Sequence, residues 1–306
     1  MNALVGYTGF VGSNIYAGGE FERVFNSKNI EEAYGLKPDL LIYAGLRAEK
    51  YLANNMPEKD MELIYQAQDN IKKIAPKKLV IISTIDVFKN PVEVNESSNI
   101  DCEGLHAYGF NRYQLECWVR KNYPEAIIIR LPGLFGINIK KNFIYDFINI
   151  IPFMLKKQKF MELSEKNSII KDFYRLQDNG YYRCIELDDK QRKLLKETFI
   201  NMGFTALNFT DSRSKYQFYP LKRLWDDIKI LLEKDIRLWH PATEPISTGE
   251  LYHFLTGENF DNELPGIPAN YNYKTLYSQE FYGEHGYIAD KQEVMKAISE
   301  FVQSYE

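Results

Sequence analysis

The sequence has few cysteines and no pair of them with the spacing of a metal or redox motif. Its three cysteines, Cys102, Cys117 and Cys184, are odd in number and widely separated. This usage is typical of a reducing compartment, so we expect a cytoplasmic protein. The four histidines have neither HxH nor HxxxH spacing, and we therefore expect no metal site.

Long apolar runs and an excess of one charge are also missing. No stretch approaches the ~18 consecutive apolar residues that a membrane span requires. Leu4 and Val5 already belong to an expected first strand, which leaves no room for a signal peptide. The 38 basic and 42 acidic residues give a net charge of −4. Because this balance offers no basic surface, neither nucleic acid nor a membrane is expected as a partner.

Apolar segments alternate with helical patterns through the first part of the chain. Helices are predicted over about 57–74 and 109–122. The apolar runs that show no polar alternation cover residues 3–5, 40–44, 78–84 and 126–131. Strands of this kind are buried on both faces, as in a parallel sheet covered by helices. We therefore predict an α/β protein with a Rossmann-type, doubly wound parallel sheet.

Beyond Gly136 this alternation is lost. Residues 155–205 are rich in charged and aromatic side chains and contain one clear helical pattern, over about 190–202. A strand is expected near 206–209 and a helix over about 221–232, followed by irregular sequence. The later part of the chain is therefore expected to elaborate the first part.

A glycine-rich loop joins the first strand to the first helix. Gly6, Gly9 and Gly12 have GxxGxxG spacing, and the helix is predicted to begin at about Ser13. Phe10 and Val11 lie within this loop and are included among the cofactor contacts. The first glycine permits a tight turn, the second lets a pyrophosphate approach the backbone, and the third lets the helix pack closely on the strand. The helix N-terminus stabilises the negative charge. The loop predicts a site for a dinucleotide, either NAD or NADP.

The position that usually binds the adenosine ribose has no acidic residue. After the next short strand the sequence has Asn26-Ser27-Lys28-Asn29, where a carboxylate would be expected. Lys28 would favour NADP if it met a 2′-phosphate, and a solvent-facing turn lysine is an equally good interpretation. We include Asn26 and Lys28 among the cofactor contacts and leave the choice of cofactor open.

Polar residues end the strand over 78–84, at the edge where ligands of open α/β sheets bind. Ser83 and Thr84 are the last residues of this run. Tyr108 and Arg112 follow at positions i and i+4 on one face of the next predicted helix. These residues are expected to meet at one edge of the sheet.

Together with the glycine loop and the segment Arg130-Leu-Pro-Gly-Leu-Phe-Gly136, this pattern resembles the extended short-chain dehydrogenase/reductases. More narrowly, it resembles their NAD-dependent epimerase/dehydratase family. The likeness covers about residues 1–150 and resumes weakly near 216–228 and 241–251. It implies an NAD(P)-dependent epimerase or reductase that acts on a nucleotide-activated sugar.

The resemblance also implies roles for three residues. Thr84 would hydrogen-bond the reacting oxygen, and Tyr108 would pass the proton as a hydride moves to or from the nicotinamide. Arg112 stands where the family has lysine. Its charge can lower the pKa of Tyr108, but arginine cannot release a proton. This departure supports an alternative, a non-catalytic NAD(P)-binding sensor or scaffold of the same superfamily.

Further contacts follow from the same resemblance. The remaining cofactor positions are Ala44, Gly45, Ser83, Tyr108, Arg112, Pro132 and Gly133. The candidate substrate contacts are Arg47, Glu49, Lys50, Asp86, Asn142 and Arg213. Asn142 and Arg213 match family positions near the diphosphate, and an exposed loop residue is the competing interpretation for each.

Asp86 bears on the class of reaction. The family's 4,6-dehydratases follow their threonine with an Asp-Glu pair, whereas this sequence has Ile85-Asp86. The missing acid argues against dehydration. Asp86 is left either to act on a sugar carbon or to accept a hydrogen bond from nearby backbone.

The length of 306 residues suggests about two domains. We expect residues 1–150 to form an NAD(P)-binding Rossmann domain that is rejoined by about 205–242. Residues 151–204 and 243–306 would form a smaller C-terminal substrate-binding region. As a protein partner, the sequence leaves open a second copy of the same chain in a homodimer.

Overall fold

Residues 1–305 are described by the computed structural model. The strands are β1 (Asn2–Val5), β2 (Arg23–Phe25), β3 (Leu40–Tyr43), β4 (Lys78–Thr84), β5 (Ile127–Leu131), β6 (Gly133–Phe135), β7 (Met154–Lys156), β8 (Tyr174–Leu176), β9 (Tyr181–Cys184), β10 (Lys215–Tyr216), β11 (Phe218–Pro220), β12 (Leu238–Trp239) and β13 (Ile246–Ser247). The helices are α1 (Phe10–Gly18), α2 (Lys50–Asn55), α3 (Pro57–Ile74), α4 (Ala107–Asn122), α5 (Phe143–Asn149), α6 (Lys157–Lys166), α7 (Ile170–Phe173), α8 (Asp189–Asn201), α9 (Leu224–Glu233), α10 (Thr248–Thr256) and α11 (Lys291–Gln303). Within this described range, no helix has the length and apolar character to cross a membrane.

The main sheet has six strands in the order β12-β5-β4-β3-β1-β2. Every neighbouring pair is parallel, so the carboxyl ends of all six strands lie along one edge. The four apolar runs of the sequence form β1, β3, β4 and β5. The predicted Rossmann-type, doubly wound parallel sheet is therefore confirmed.

Helices cover both faces of this sheet because the side chains of each strand alternate between two hydrophobic clusters. On one face, Val5, Leu41 and Ile81 pack with buried residues of α3 and α4. On the other face, Leu4 and Ile42 pack with buried residues of α1 and α9. A strand that is buried on both sides excludes polar residues from its centre, which explains the uninterrupted apolar runs.

The chain divides into two compact units. The first comprises residues 1–139, 215–247 and 269–301 and contains the six-stranded sheet. The second comprises residues 140–214, 248–268 and 302–305. It contains a small antiparallel sheet in the order β7-β9-β8.

Segment 269–301 lies in the unit of the main sheet rather than with the substrate-binding region predicted for residues 243–306. Two contacts explain this. The Phe281 ring stacks on Trp239 of β12, with the ring centres 4.4 Å apart. The side-chain amide of Gln217 donates a 2.9 Å hydrogen bond to the carbonyl of Tyr273.

Two elements differ from the sequence predictions. Residues 206–209 form a 3₁₀-helix rather than a strand, because Thr205 and Asn208 make a capping box that favours a helical turn. Helix α10 lies in sequence that was expected to be irregular. Gly257, with a φ of 75°, stands directly after this helix and is a stop signal that the sequence contains.

Candidate cofactor and active site

The glycine loop between β1 and α1 has room for a ligand at one of its three glycines. A Cβ on Gly12 would collide with the carbonyl oxygen of Gly6, and a Cβ on Gly6 would collide with the carbonyl of Ala44. Packing within the protein therefore requires both of these glycines. Among the described residues, a Cβ on Gly9 would meet only the Gly6 oxygen, at 3.3 Å. The open space beside Gly9 is what a pyrophosphate would need.

The N-terminus of α1 faces this space without a competing side chain. Gly9 is the N-cap residue, no side chain caps the helix, and no acidic residue lies in its first turn. Phe10 and Val11 open the helix and are partly buried against the core. Free amide groups at a helix N-terminus attract anions. These residues fit the diphosphate of a dinucleotide.

The ends of the neighbouring strands lie beside the glycine loop. Ala44 follows β3, and its amide donates a hydrogen bond to Val5 of β1 at 2.9 Å. Gly45 is exposed. On the other side, β2 leads into a turn in which the Asn26 side chain accepts a hydrogen bond from the Lys28 amide at 2.9 Å. The Lys28 side chain is exposed.

Three other predicted cofactor positions lie at the ends of β4 and β5, where Ser83 and Gly133 are packed against other parts of the protein. The Ser83 hydroxyl donates a 2.5 Å hydrogen bond to the buried Glu116, which is also paired with Arg130. Gly133 begins β6, and a Cβ there would lie 3.0 Å from the carbonyl oxygen of Gln217. Pro132 joins β5 to β6. A cofactor role for these three residues stays a prediction.

Thr84 and Tyr108 meet at the carboxyl edge of the sheet. Thr84 ends β4, and its side-chain oxygen accepts a 3.2 Å hydrogen bond from the Asp86 amide. Its hydroxyl hydrogen therefore remains available as a donor. Tyr108 lies in the first turn of α4, where its amide donates to the Asn54 side chain at 3.0 Å. The Thr84 side chain lies near the Tyr108 phenol and acts to lower the pKa of Tyr108.

The net shift of the Tyr108 pKa is nevertheless upward. Burial of the phenol raises it to about 12, which outweighs the lowering effect of Arg112, and Asp86 raises it further. The hydroxyl is therefore protonated at neutral pH. Arg112 lowers the pKa of Tyr108, as expected, but this effect is smaller than the increase that burial causes.

Arg112 forms a buried ion pair that was not predicted from the sequence. Its guanidinium lies 4.5 Å from the centre of the Tyr108 ring. One Nη group donates to the carboxylate of Asp60 on α3, and the other donates to the carbonyl of Arg47 at 2.6 Å. The Asn111 side chain also donates to Asp60, at 2.9 Å. Arg112 thus joins α4 to α3 and to the segment after β3.

A helical pattern in the sequence does indicate that Asp60 faces inward. The buried face of α3 consists of Asp60, Ile64, Ala67, Asn70, Ile71 and Ile74. An acidic residue in line with such an apolar series is rarely buried unless it is paired. This periodicity is the signal that could have identified Asp60.

Asp86 forms an ion pair with Lys50 beside the Tyr108 ring. Lys50 Nζ lies 2.6 Å from one carboxylate oxygen of Asp86, and the Tyr271 hydroxyl donates to the other at 2.8 Å. The sequence left two roles open for Asp86. The role of accepting a hydrogen bond from nearby backbone does not describe these contacts, because both partners of the carboxylate are side chains. Arg47 and Glu49 are exposed in the same segment as Lys50.

His106 packs on the other side of Tyr108. Its Nδ1 accepts a 3.0 Å hydrogen bond from the Gly109 amide and so caps α4, and its ring stacks on Tyr108 with the centres 6.3 Å apart. Burial lowers the pKa of His106. The ring is therefore neutral at pH 7, and its remaining nitrogen, Nε2, carries the proton.

The last two candidate substrate residues belong to the second unit. Asn142 caps α5, and its side-chain oxygen accepts hydrogen bonds from the amides of Ile144 and Tyr145. Arg213 pairs with Asp211 at 2.7 Å and with Glu263 at 2.9 Å. A phosphate would have to compete with these two carboxylates for Arg213.

Comparison with solved structures identifies proteins that share this fold. A UDP-N-acetylglucosamine 4-epimerase from Methanobrevibacter ruminantium M1, in complex with UDP-N-acetylmuramic acid, has a TM-score of 0.61 at 13% identity over 99% of this chain and 96% of that chain. A dTDP-4-dehydrorhamnose reductase from Bacillus anthracis, in complex with NADP, has a TM-score of 0.62 at 14% identity over 99% and 97%. A variant UDP-glucuronic acid 4-epimerase from Bacillus cereus, in complex with NAD and a fluorinated UDP-sugar, has a TM-score of 0.58 at 15% identity over 100% of both chains.

The chain has the fold of sugar-nucleotide epimerases and reductases. The resemblance to the extended short-chain dehydrogenase/reductases is thus confirmed at the level of the fold, over essentially the whole chain. No family model matches the sequence, and no curated protein matches it. Since one fold hosts many activities, the function has to be argued from the site.

Proposed function

We propose that the protein is an NAD(P)-dependent epimerase or reductase that acts on a nucleotide-activated sugar. The observation that carries this proposal is the placement of Thr84, at the end of β4, beside Tyr108, in the first turn of α4, at the carboxyl edge of a Rossmann-type sheet. The glycine loop opens at the same edge. Neighbours in complex with NAD, NADP and UDP-sugars support this choice of cofactor and substrate.

The residues of the glycine loop would hold the cofactor. The space beside Gly9 and the uncapped N-terminus of α1 would receive the diphosphate. Asn26 and Lys28 would lie toward the adenosine ribose. When bound, the nicotinamide supplies or accepts a hydride, which is chemistry that no amino-acid side chain provides.

Tyr108 and Thr84 would handle the proton at the sugar oxygen. The Thr84 hydroxyl would hydrogen-bond this oxygen and hold it against Tyr108. Because burial keeps Tyr108 protonated at neutral pH, its phenol is prepared to donate a proton to a carbonyl oxygen that is being reduced.

Arg112 would act as a positioning residue. Its guanidinium is bound to Asp60 and to the Arg47 carbonyl, and it lies against the face of the Tyr108 ring. It would therefore hold the ring in place, while the neighbouring Asp60 opposes its effect on the Tyr108 pKa. Arg47 and Asp86 would lie toward the sugar, and Asn142 and Arg213 remain candidates for the diphosphate.

A screen of nucleotide-sugars tests the proposal. UDP- and dTDP-sugars would be incubated with NAD(H) or NADP(H), with nicotinamide absorbance reporting reduction and product chromatography reporting epimerisation. Tyr108→Phe should lower turnover by about 10²-fold or more and leave cofactor affinity nearly unchanged. Arg112→Lys should retain measurable activity, because an ammonium group can still pair with Asp60.

The screen also separates the enzyme from the alternative of a cofactor-binding sensor. A sensor would bind NAD(P) but show no turnover with any sugar. Wild-type activity in Tyr108→Phe would contradict the assigned mechanism.

A further inference from the structure

The ion pair between Lys50 and Asp86 has no part in the proposed proton transfer, although it lies at the reacting groups. Lys50 Nζ is 6.0 Å from the centre of the Tyr108 ring. The two members of the pair differ in their access to solvent, because the Lys50 side chain is 45% exposed and the Asp86 side chain only 14%. The Lys50 side chain is therefore in partial contact with water, whereas the Asp86 carboxylate is largely shielded from it.

Backbone packing holds Asp86 in this place. A Cβ on Gly109 would collide with the carbonyl oxygen of Asp86, so the residue after Tyr108 lies directly on the Asp86 backbone. The Asp86 amide is also bound to the Thr84 side chain, and Tyr271 fixes the carboxylate. A sugar held by Thr84 and Tyr108 would therefore have this carboxylate as a rigid neighbour.

We propose that the Lys50–Asp86 pair is a specificity determinant that admits neutral sugars and rejects sugars carrying a carboxylate. This inference rests on the proposed function. For a neutral sugar the two charges largely cancel, and a hydroxyl can donate to Asp86 while the pair stays intact. The pair therefore imposes no electrostatic penalty on an uncharged substrate.

A sugar carboxylate meets a different situation. If it binds Lys50, it takes the cation away from Asp86 and leaves a mostly buried carboxylate unpaired beside a second negative charge. An ammonium group on the sugar can instead take the place of Lys50 on Asp86, because Lys50 is free to return to water. Discrimination should therefore be strong against carboxylates and weak against ammonium groups.

Titration calorimetry of the cofactor-loaded protein tests this inference. The ligands are UDP-glucose, UDP-glucuronic acid and UDP-glucosamine, together with the corresponding dTDP-sugars. The wild type should bind the neutral sugar at least about tenfold more tightly than the acidic one. Asp86→Asn keeps an acceptor for Tyr271 and should reduce this ratio by about tenfold. Lys50→Met should increase the ratio of the affinity for the neutral sugar to that for the acidic sugar. It should also strengthen binding of the amino sugar relative to the neutral sugar.

The ratio of affinities within each variant is the measurement, so a general loss of binding cancels. Lys77→Met is the matched control, because Lys77 pairs with Asp39 at the amino end of the sheet, 2.7 Å apart, and its loss should leave every ratio unchanged. An unchanged ratio in Asp86→Asn, or a wild type that binds all three sugars alike, overturns the inference alone. A wild type that binds no nucleotide-sugar overturns the proposed function as well.

Discussion

Arg112 on α4 and Asp60 on α3 form an ion pair with both side chains almost completely removed from solvent. The sequence predicted a single positive charge, that of Arg112, beside Tyr108, and the structure has an ion pair there. Its net charge is close to zero, and burial decides the pKa of Tyr108 instead. The arginine thus contributes geometry more than charge, since it joins two helices and supports the ring of Tyr108.

Asp60→Asn should have two effects. It leaves the Arg112 charge buried without a partner, which should lower the free energy of unfolding by about 3–5 kcal/mol. The freed charge, 4.5 Å from the Tyr108 ring centre, should also lower the Tyr108 pKa. Urea unfolding and ultraviolet titration of tyrosine measure the two effects. The control is Asp69→Asn on the same helix, whose exposed pair with Lys73 should contribute at most about 1 kcal/mol. Equal losses in both variants would contradict a special role for Asp60.

The glycine loop should respond differently at two of its positions. Gly9→Val should fold and lose NAD(P) binding, because its side chain would fill the space beside the helix N-terminus. Gly12→Ala should instead destabilise the protein by about 1–3 kcal/mol, because its Cβ collides with the Gly6 carbonyl. Thermal unfolding and titration calorimetry distinguish the two outcomes. Unchanged cofactor affinity in a folded Gly9→Val variant would refute the loop assignment.

Much of the first unit follows from local patterns in the sequence. Strands β1, β3, β4 and β5 could be predicted because burial on both faces leaves continuous apolar runs. Thr84 and Tyr108 could be predicted because a strand end and a helix start place them at the same edge.

Other features depend on partners that are distant in the sequence. The acceptor of Arg112 lies 52 residues away, and Tyr271 lies 185 residues from Asp86. No local pattern specifies such pairs. The strands of the second unit were missed because β7, β8 and β9 each contain a charged residue and therefore form no continuous apolar run. Residues 206–209 are apolar enough for a strand, yet their capping box gives a helical turn.

Stability at alkaline pH should depend on Tyr108. Burial raises the pKa of Tyr108, and that of Tyr43, from 10 to about 12. A group whose pKa is raised by folding stabilises the protein fully below its unfolded pKa, and this contribution is lost as the pH rises from 10 to 12. The free energy of unfolding should therefore be lower at pH 11 than at pH 9 by about 1 kcal/mol for each of the two tyrosines. In urea unfolding, Tyr108→Phe and Tyr43→Phe should each make the decrease in the free energy of unfolding between pH 9 and pH 11 smaller by this amount. Only Tyr108→Phe should also lower turnover. A pH dependence identical to wild type in Tyr108→Phe would contradict the raised pKa.

Cofactor choice should depend on Lys28, which is exposed in the turn after β2. If this lysine meets the 2′-phosphate, Lys28→Glu places a carboxylate against a group of like charge and should weaken NADP binding by tenfold or more, on the order of 1–2 kcal/mol. NAD binding should change little, because a ribose hydroxyl can donate to the new carboxylate. Lys37→Glu is the matched control, since Lys37 is also exposed but precedes β3 at the opposite edge of the sheet. Calorimetric titration with both cofactors gives the two affinities for each variant. Equal losses for NADP and NAD in Lys28→Glu would show that Lys28 does not face the 2′ position.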